Sequence, residues 1–270
     1  MCRFLAYIGD RAVRMADVVE SPEHSLVQQS RHSKESEARV NIDGFGLGWY
    51  LADGPGYYKS VLPLGNDLNA KEIASHIQSH AFMAHVRAST VGDSVYYNCH
   101  PFRFGAYLFC HNGTFMNFHL GKAKIYSSLR PELQENIKGA TDSEYFFHLI
   151  MEELLQNPSL SMPKAMKKAL QTYHGFFRGN EENLGYAANL LLMDGKQLIV
   201  FRTMKNATFR TLYYSTDSYF INNKSEDKLE FLVCSEPLTS IAEHWQEVPE
   251  ESYLWVNEQL KIETGSLELL

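Results

Sequence analysis

The feature that most constrains this chain is a series of strand-length apolar runs, interrupted once, in the middle, by two amphipathic helical patterns. Residues 3–8, 81–87 and 104–110 are such runs before the interruption; 187–193, 197–203, 211–215 and 231–235 follow it. Each is too short for a helix of ordinary length and ends in glycine, proline or polar residues, as strands do. Asp194-Gly195 between two of them is a hairpin signal. Between the two sets, Thr141-Asp142-Ser143-Glu144 is a capping-box pattern, followed by Phe146, Leu149, Ile150 and Leu154 at helical spacing. A second helix is expected over 161–173, with Pro163 in its first turn. Sheets packed face to face with helices outside would bury this much apolar strand surface.

Smaller features set further expectations. The run at 3–8 should close in a turn at Gly9-Asp10, and Ser21-Pro22 should open a helix that ends before the polar tract 30–39. Gly44, Gly46 and Gly48 alternate in a run that lacks the spacing of a dinucleotide loop, so a strand is expected there, approached closely by another backbone or a ligand. Asp53-Gly54-Pro55-Gly56 should turn it into the next strand. Residues 87–90 and 111–114 should lie at strand ends, and 222–228 should form a loop.

Composition narrows the function. The chain has 270 residues, and no internal repeat or linker divides it, so one domain over 1–270 is expected. Lysines and arginines number 25 against 32 acids, for a net charge of -7, and they are scattered, which argues against nucleic-acid or anionic-membrane partners. The first ten residues carry charges at Arg3 and Asp10 and lack a signal-peptide core, and no uncharged stretch nears the roughly 18 residues of a membrane span. Four scattered cysteines suit reduced thiols, so a cytoplasmic protein is expected.

The chemistry-bearing residues each have two readings. Cys2 is either a small residue opening a strand or, once Met1 is removed, a nucleophile carrying its own base, because an α-amine with a pKa of roughly 7.7–8.0 is matched to neutral pH. His111-Asn112-Gly113-Thr114 could be an Asn-Gly turn or could present the Asn112 amide and Gly113 N–H to a developing oxyanion. Arg87 could be a surface ion-pair partner or a bidentate clamp for a carboxylate. Asp142 suits the first turn of a helix with or without a substrate role. Cys99-His100, Cys110-His111, His76, His80 and His85 lack a compact metal-ligand spacing, so neither a metal nor another cofactor is expected.

Taken together and in order, Met1-Cys2-Arg3, Asp43-Gly44-Phe45-Gly46-Leu47-Gly48-Trp49, His85-Val86-Arg87-Ala88-Ser89-Thr90, Asn98-Cys99-His100-Pro101-Phe102, His111-Asn112-Gly113, Thr141-Asp142-Ser143-Glu144 and Ser235-Glu236-Pro237-Leu238 resemble the class II glutamine amidotransferases. More narrowly, the chain is similar to their small stand-alone branch, which includes γ-glutamyl hydrolases of ergothioneine synthesis and the amidotransferase-like subunit of a glutathione-degrading complex. The resemblance implies an αββα sandwich of the N-terminal-nucleophile hydrolase type, with two mainly antiparallel sheets between helical layers. It implies Cys2 as nucleophile with its amine as base, Asn112 and Gly113 as oxyanion hole, and Arg87 and Asp142 holding the glutamyl carboxylate and ammonium. Thr90 matches a further substrate-contacting position. Many glutamine-using members have tryptophan and histidine where this chain has Ala88 and Val91, so the entrance to the pocket is expected to differ. The implied activity is cysteine-dependent hydrolysis of a γ-glutamyl amide; the rival reading is a non-catalytic or ammonia-donating subunit that binds glutamine or glutamate beside a separate acceptor enzyme.

Overall fold

Residues 3–9 are all buried, and their alternation assigns each face a partner: Phe4, Ala6 and Ile8 point one way, Leu5 and Tyr7 the other. A strand apolar on both faces has to lie between two layers. The computed structural model describes residues 2–31, 43–88, 93–216 and 229–268. Its strands are β1 (Arg3–Arg14), β2 (Phe45–Leu51), β3 (Gly54–Ser60), β4 (Gln78–Val86), β5 (Phe102–Phe104), β6 (Tyr107–Met116), β7 (Gly185–Met193), β8 (Leu198–Lys205), β9 (Tyr213–Ser215), β10 (Glu230–Cys234), β11 (Gln246–Glu247), β12 (Ser252–Val256) and β13 (Ile262–Ser266). Its helices are α1 (Met15–Val19), α2 (Leu26–Arg31), α3 (Leu68–His76), α4 (Phe118–Ser128), α5 (Pro131–Asn136), α6 (Asp142–Gln156) and α7 (Met162–Gly175).

Two sheets result, ordered β11-β9-β10-β1-β4-β2-β3 and β13-β12-β8-β7-β6-β5, with antiparallel neighbours throughout. Phe4, Ala6, Ile8 and Met83 of the first sheet meet Leu108, Cys110, Leu191 and Val200 of the second to form the central core. On the far side of the first sheet, Leu5, Tyr7 and Leu47 pack under Val18, Leu26 and Ala74 of α1, α2 and α3. On the far side of the second, Phe109, Leu190 and Phe201 pack under Phe146, Met166 and Leu170 of α6 and α7. This is the four-layer αββα sandwich that the motifs imply.

Local chemistry explains where the elements depart from expectation. Gly9-Asp10 does not end β1: the strand continues to Arg14 through an irregularity between Ile8 and Val13, where pairing with β4 resumes at Ser79. Residues 21–24 turn rather than coil, and the helix starts at Leu26, with the Ser25 carbonyl accepting from Gln29 N–H. Residues 111–114 do not sit at a strand end, because β6 runs on to Met116 in register with β7, pairing Asn112 with Asn189 and Gly113 with Ala188. The two mid-chain helices and the hairpin at Asp194-Gly195 form as expected.

The alternating glycines of β2 are explained by one loop. A side chain at Gly46 would collide with the His100 carbonyl, and one at Gly48 would come within 3.0 Å of Pro101. Gly44, at φ 112°, would bring a Cβ to 2.7 Å from Cys99 Sγ. Bare backbone therefore lets residues 99–101 lie flat on the strand that supports Arg87.

Candidate active site

Cys2 immediately precedes β1, whose pairing with β4 aligns Arg3 with Val86 and so sets the cysteine beside Arg87 and Ala88. The Ala88 N–H donates to Cys2 Sγ and the thiol faces the Ala88 carbonyl, both at 3.3 Å. Burial pushes the thiol above the ordinary cysteine range; the Ala88 N–H and the Arg87 charge pull it back, while Asp142 adds to the rise. A thiol so placed is protonated at neutral pH and needs a base before it can attack.

The backbone around Cys2 is held by a buried ionic network. The Arg3 guanidinium donates to Glu236 Oε1 from Nε at 2.7 Å and to the Cys2 carbonyl at 2.9 Å. Glu236 Oε2 lies 2.7 Å from His24 Nε2, and Gln29 donates to the His24 carbonyl at 2.9 Å. Arg3 and Glu236 are each 1% exposed, so the pair is shielded from solvent and removing either member would leave the other's charge buried.

Across the sandwich, Ser235 joins the two sheets. Its Oγ accepts from Phe4 N–H at 3.0 Å and from Asn112 Nδ2 at 3.2 Å, so the asparagine in the second sheet is tied to the strand that carries the cysteine. Asn112 Oδ1 is buried with no hydrogen-bond partner among the described residues. A half-turn of the amide would let Ser235 Oγ–H donate to Oδ1 and free both amide hydrogens, since Ser235 has one proton to give and already accepts from Phe4. A Cβ at Gly113 would strike the Ala187 carbonyl of β7, so only glycine fits there.

Arg87 is buried, and its Nη1 donates to the Asp93 carbonyl at 3.0 Å; Asn98 Nδ2 donates to the same oxygen at 2.9 Å. Asn98 Oδ1 accepts from Ala140 N–H at 2.9 Å, which joins this loop to the start of α6. There Thr141 caps the helix, accepting from Glu144 N–H at 3.2 Å. Asp142 Oδ2 accepts from Phe115 N–H at 2.7 Å and Oδ1 from Ser143 N–H at 2.8 Å, which pins the carboxylate against β6. Ser143 Oγ also donates to Oδ1 and lies 2.9 Å from His111 Nδ1.

Cys2, Arg87, Asn112, Gly113 and Asp142 thus belong to one connected set, with Asn112 and Gly113 inside β6 and the others at strand or helix ends. Thr90, with Met1, most of 30–39 and the loop expected at 222–228, lies outside the described residues. Sequence reasoning attached no role to Asn98, Ser143, Ser235 or Glu236, though each stands inside a motif that carried the resemblance. Their work is to hold neighbours, and no residue-type chemistry advertises that. The neighbouring histidines are buried and uncharged. Burial drives His85 down to about 3 and His100 and His111 below the usual histidine value, and His85 Nε2 donates to the His111 carbonyl at 3.2 Å. Among the described residues, no group of three or more histidine, cysteine or acidic side chains could hold a metal ion, and no helix is long and apolar enough to cross a membrane.

Residues 16–265 match the family described as class II glutamine amidotransferases. The chain belongs to that family. It is 31% identical to a probable glutamine amidotransferase, DUG3, of Saccharomyces cerevisiae, over 96% of this chain and 82% of the yeast protein. It is also 31% identical to the γ-glutamyl-hercynylcysteine sulfoxide hydrolase of Mycobacterium tuberculosis, over 42% of this chain and 49% of that one. Among solved structures, a glutamine aminotransferase class-II domain protein from Silicibacter pomeroyi superposes with a TM-score of 0.69 at 23% identity, over 98% of this chain and 99% of its own. The glutamine phosphoribosylpyrophosphate amidotransferase of Bacillus subtilis gives 0.67 at 16% identity, over 100% of this chain and 50% of its own. These two likenesses place the sandwich in the amidotransferase fold.

Proposed function

We propose that this class II amidotransferase family member hydrolyses a γ-glutamyl amide, with Cys2, exposed as the first residue by removal of Met1, as nucleophile. The observation that carries the reading is the tie through Ser235, which couples the backbone two residues after Cys2 to the amide of Asn112. Nucleophile and oxyanion donor are thereby held on two different sheets in one fixed relation. The relatives named for γ-glutamyl and glutamine chemistry support the substrate class.

The α-amine of Cys2 takes the thiol proton, and the thiolate attacks the γ-carbonyl carbon. Negative charge gathers on the carbonyl oxygen, where the Asn112 amide and Gly113 N–H donate to it. The carbon–nitrogen bond then breaks as the ammonium returns its proton to the departing amine, leaving a thioester on Cys2. Water, deprotonated by the same amine, attacks the thioester through a second tetrahedral species; glutamate departs and the thiol is restored. Arg87 holds the α-carboxylate and Asp142 the α-ammonium of the glutamyl group. With Ala88 where many glutamine-using members carry tryptophan, γ-glutamyl compounds bulkier than glutamine can be admitted.

Purified, Met1-processed protein offered glutamine, γ-glutamyl dipeptides and glutathione in parallel tests this directly. Release of glutamate from at least one of them is expected, and Cys2→Ser should reduce it at least a thousandfold, in line with the loss of an enzyme's nucleophile. Turnover in Cys2→Ser at near the parent rate would overturn the mechanism.

A further inference from the structure

Tyr96 and Tyr97, in the loop whose Asp93 carbonyl Arg87 binds, line a cavity of about 270 Å³ whose lining includes none of the residues assigned above to the γ-glutamyl site. Lys59, on β3, lines it. Three rings surround the lysine ammonium: Phe102 at 5.1 Å, Tyr57 at 5.4 Å and Tyr96 at 5.7 Å from centroid to Nζ. Among the described residues the Lys59 ammonium makes no hydrogen bond or ion pair, only these ring contacts. Arg103 and Lys138 stand on the rim, so the cavity gathers three cations.

The acid in the wall, Glu144, offsets part of this charge but is turned toward backbone. Glu144 Oε1 accepts from Lys138 N–H at 2.9 Å and Oε2 from Gly139 N–H at 2.7 Å, which commits both oxygens to backbone. His148, also in the wall, is held neutral by burial, with its value driven down to about 4, and its Nε2 lies 3.0 Å from Asn136 Oδ1. What remains available is cationic and donor-rich at one end and aromatic along the sides.

We propose that this cavity is a second ligand site, one that takes a small organic anion, a carboxylate or phosphate borne on a planar ring. The anion would complete the coordination of Lys59, with Arg103 and Lys138 at its outer edge, and the ring would lie against Tyr96 and Phe102. Such a ligand adds a second counter-charge beside Glu144, against the three cations, and uses rings that already face the space. Burial alone draws the Lys59 amine down from 10.5 to about 8, even with Glu144 nearby to hold it up, and a bound anion would reverse that shift.

Calorimetric titration of the full chain at pH 7 with benzoate, phenyl phosphate, acetate and inorganic phosphate tests the proposal. Saturable binding of benzoate or phenyl phosphate is expected, at least tenfold tighter than that of the ringless anion of the same charge group; the tighter of the two identifies carboxylate or phosphate as the preferred head. Lys59→Met should weaken it at least tenfold and Lys59→Arg less, with both variants folded by circular dichroism. Arg87→Gln should leave it unchanged, which separates this site from the γ-glutamyl pocket. Absence of saturable binding, equal affinity for ringed and ringless anions, or loss of binding in Arg87→Gln with retention in Lys59→Met would each overturn it.

Discussion

Asp142 and Glu144 stand two residues apart at the start of α6, and about 200° of helical rotation sends them to opposite sides. Asp142 turns toward β6, where Phe115 and Ser143 N–H groups hold its oxygens on the Cys2 side. Glu144 turns toward the loop before the helix, where Lys138 and Gly139 N–H groups hold it on the Lys59 side. Burial lifts Glu144 above the usual carboxylate value, and the two N–H groups oppose the rise. One helix start therefore serves two neighbourhoods, using carboxylates anchored in the same manner. The difference lies in what each faces: Cys2 and Arg87 on one side, a lysine in an aromatic setting on the other.

Removing one charge at a time should separate the two sides. Asp142→Asn keeps an oxygen for Phe115 N–H but removes the charge proposed to hold the substrate ammonium, so kcat/KM should fall by about 100-fold or more, as for breaking a buried charge pair. Steady-state kinetics on the best substrate check this; a loss under threefold would remove Asp142 from the site. Glu144→Gln should leave kcat/KM within about threefold while costing roughly 1–2 kcal/mol of stability in denaturant melts, because a charge-assisted acceptor of two backbone N–H groups is weakened. A large kinetic loss with intact stability would merge the two sides into one functional unit.

The smallest expected effect concerns Lys59. Its folded value near 8 lies below the 10.5 of the free side chain, so the unfolded chain binds more protons between those values and stability contributed by this group rises with pH across that window. At pH 7 the charged amine therefore opposes folding. Lys59→Met should melt about 3 °C higher than the parent at pH 7, with the gap closing above pH 10, a modest shift for a chain of this size. A gap that does not change with pH would place the lysine in a wetter setting than its aromatic surroundings imply.

The long apolar runs made the two sheets legible, and Thr141 with Glu144 marked α6, because periodicity and capping are local properties. Strands β12 and β13 escaped notice: at the sheet edge, Ile262–Ser266 carries mostly exposed side chains, so pairing rather than composition makes it a strand. The continuation of β6 through Asn112-Gly113 was equally hidden, since Asn-Gly is a turn signal locally and only the neighbouring β7 keeps it extended. The polar site residues could be named from motifs, but the hydrogen bonds that unite them link positions as far apart as Phe4 and Ser235, which no local pattern connects.

The same dependence on position makes Cys2 the most exposed part of the account. With Met1 attached, the Cys2 nitrogen is a peptide amide that cannot take the thiol proton. The decisive measurement pairs intact-mass analysis with the rate of glutamate release on two preparations, one fully processed and one fully retaining Met1. The processed sample should turn over substrate and the Met1-bearing sample should be inactive; equal rates in the two would contradict the α-amine as the base.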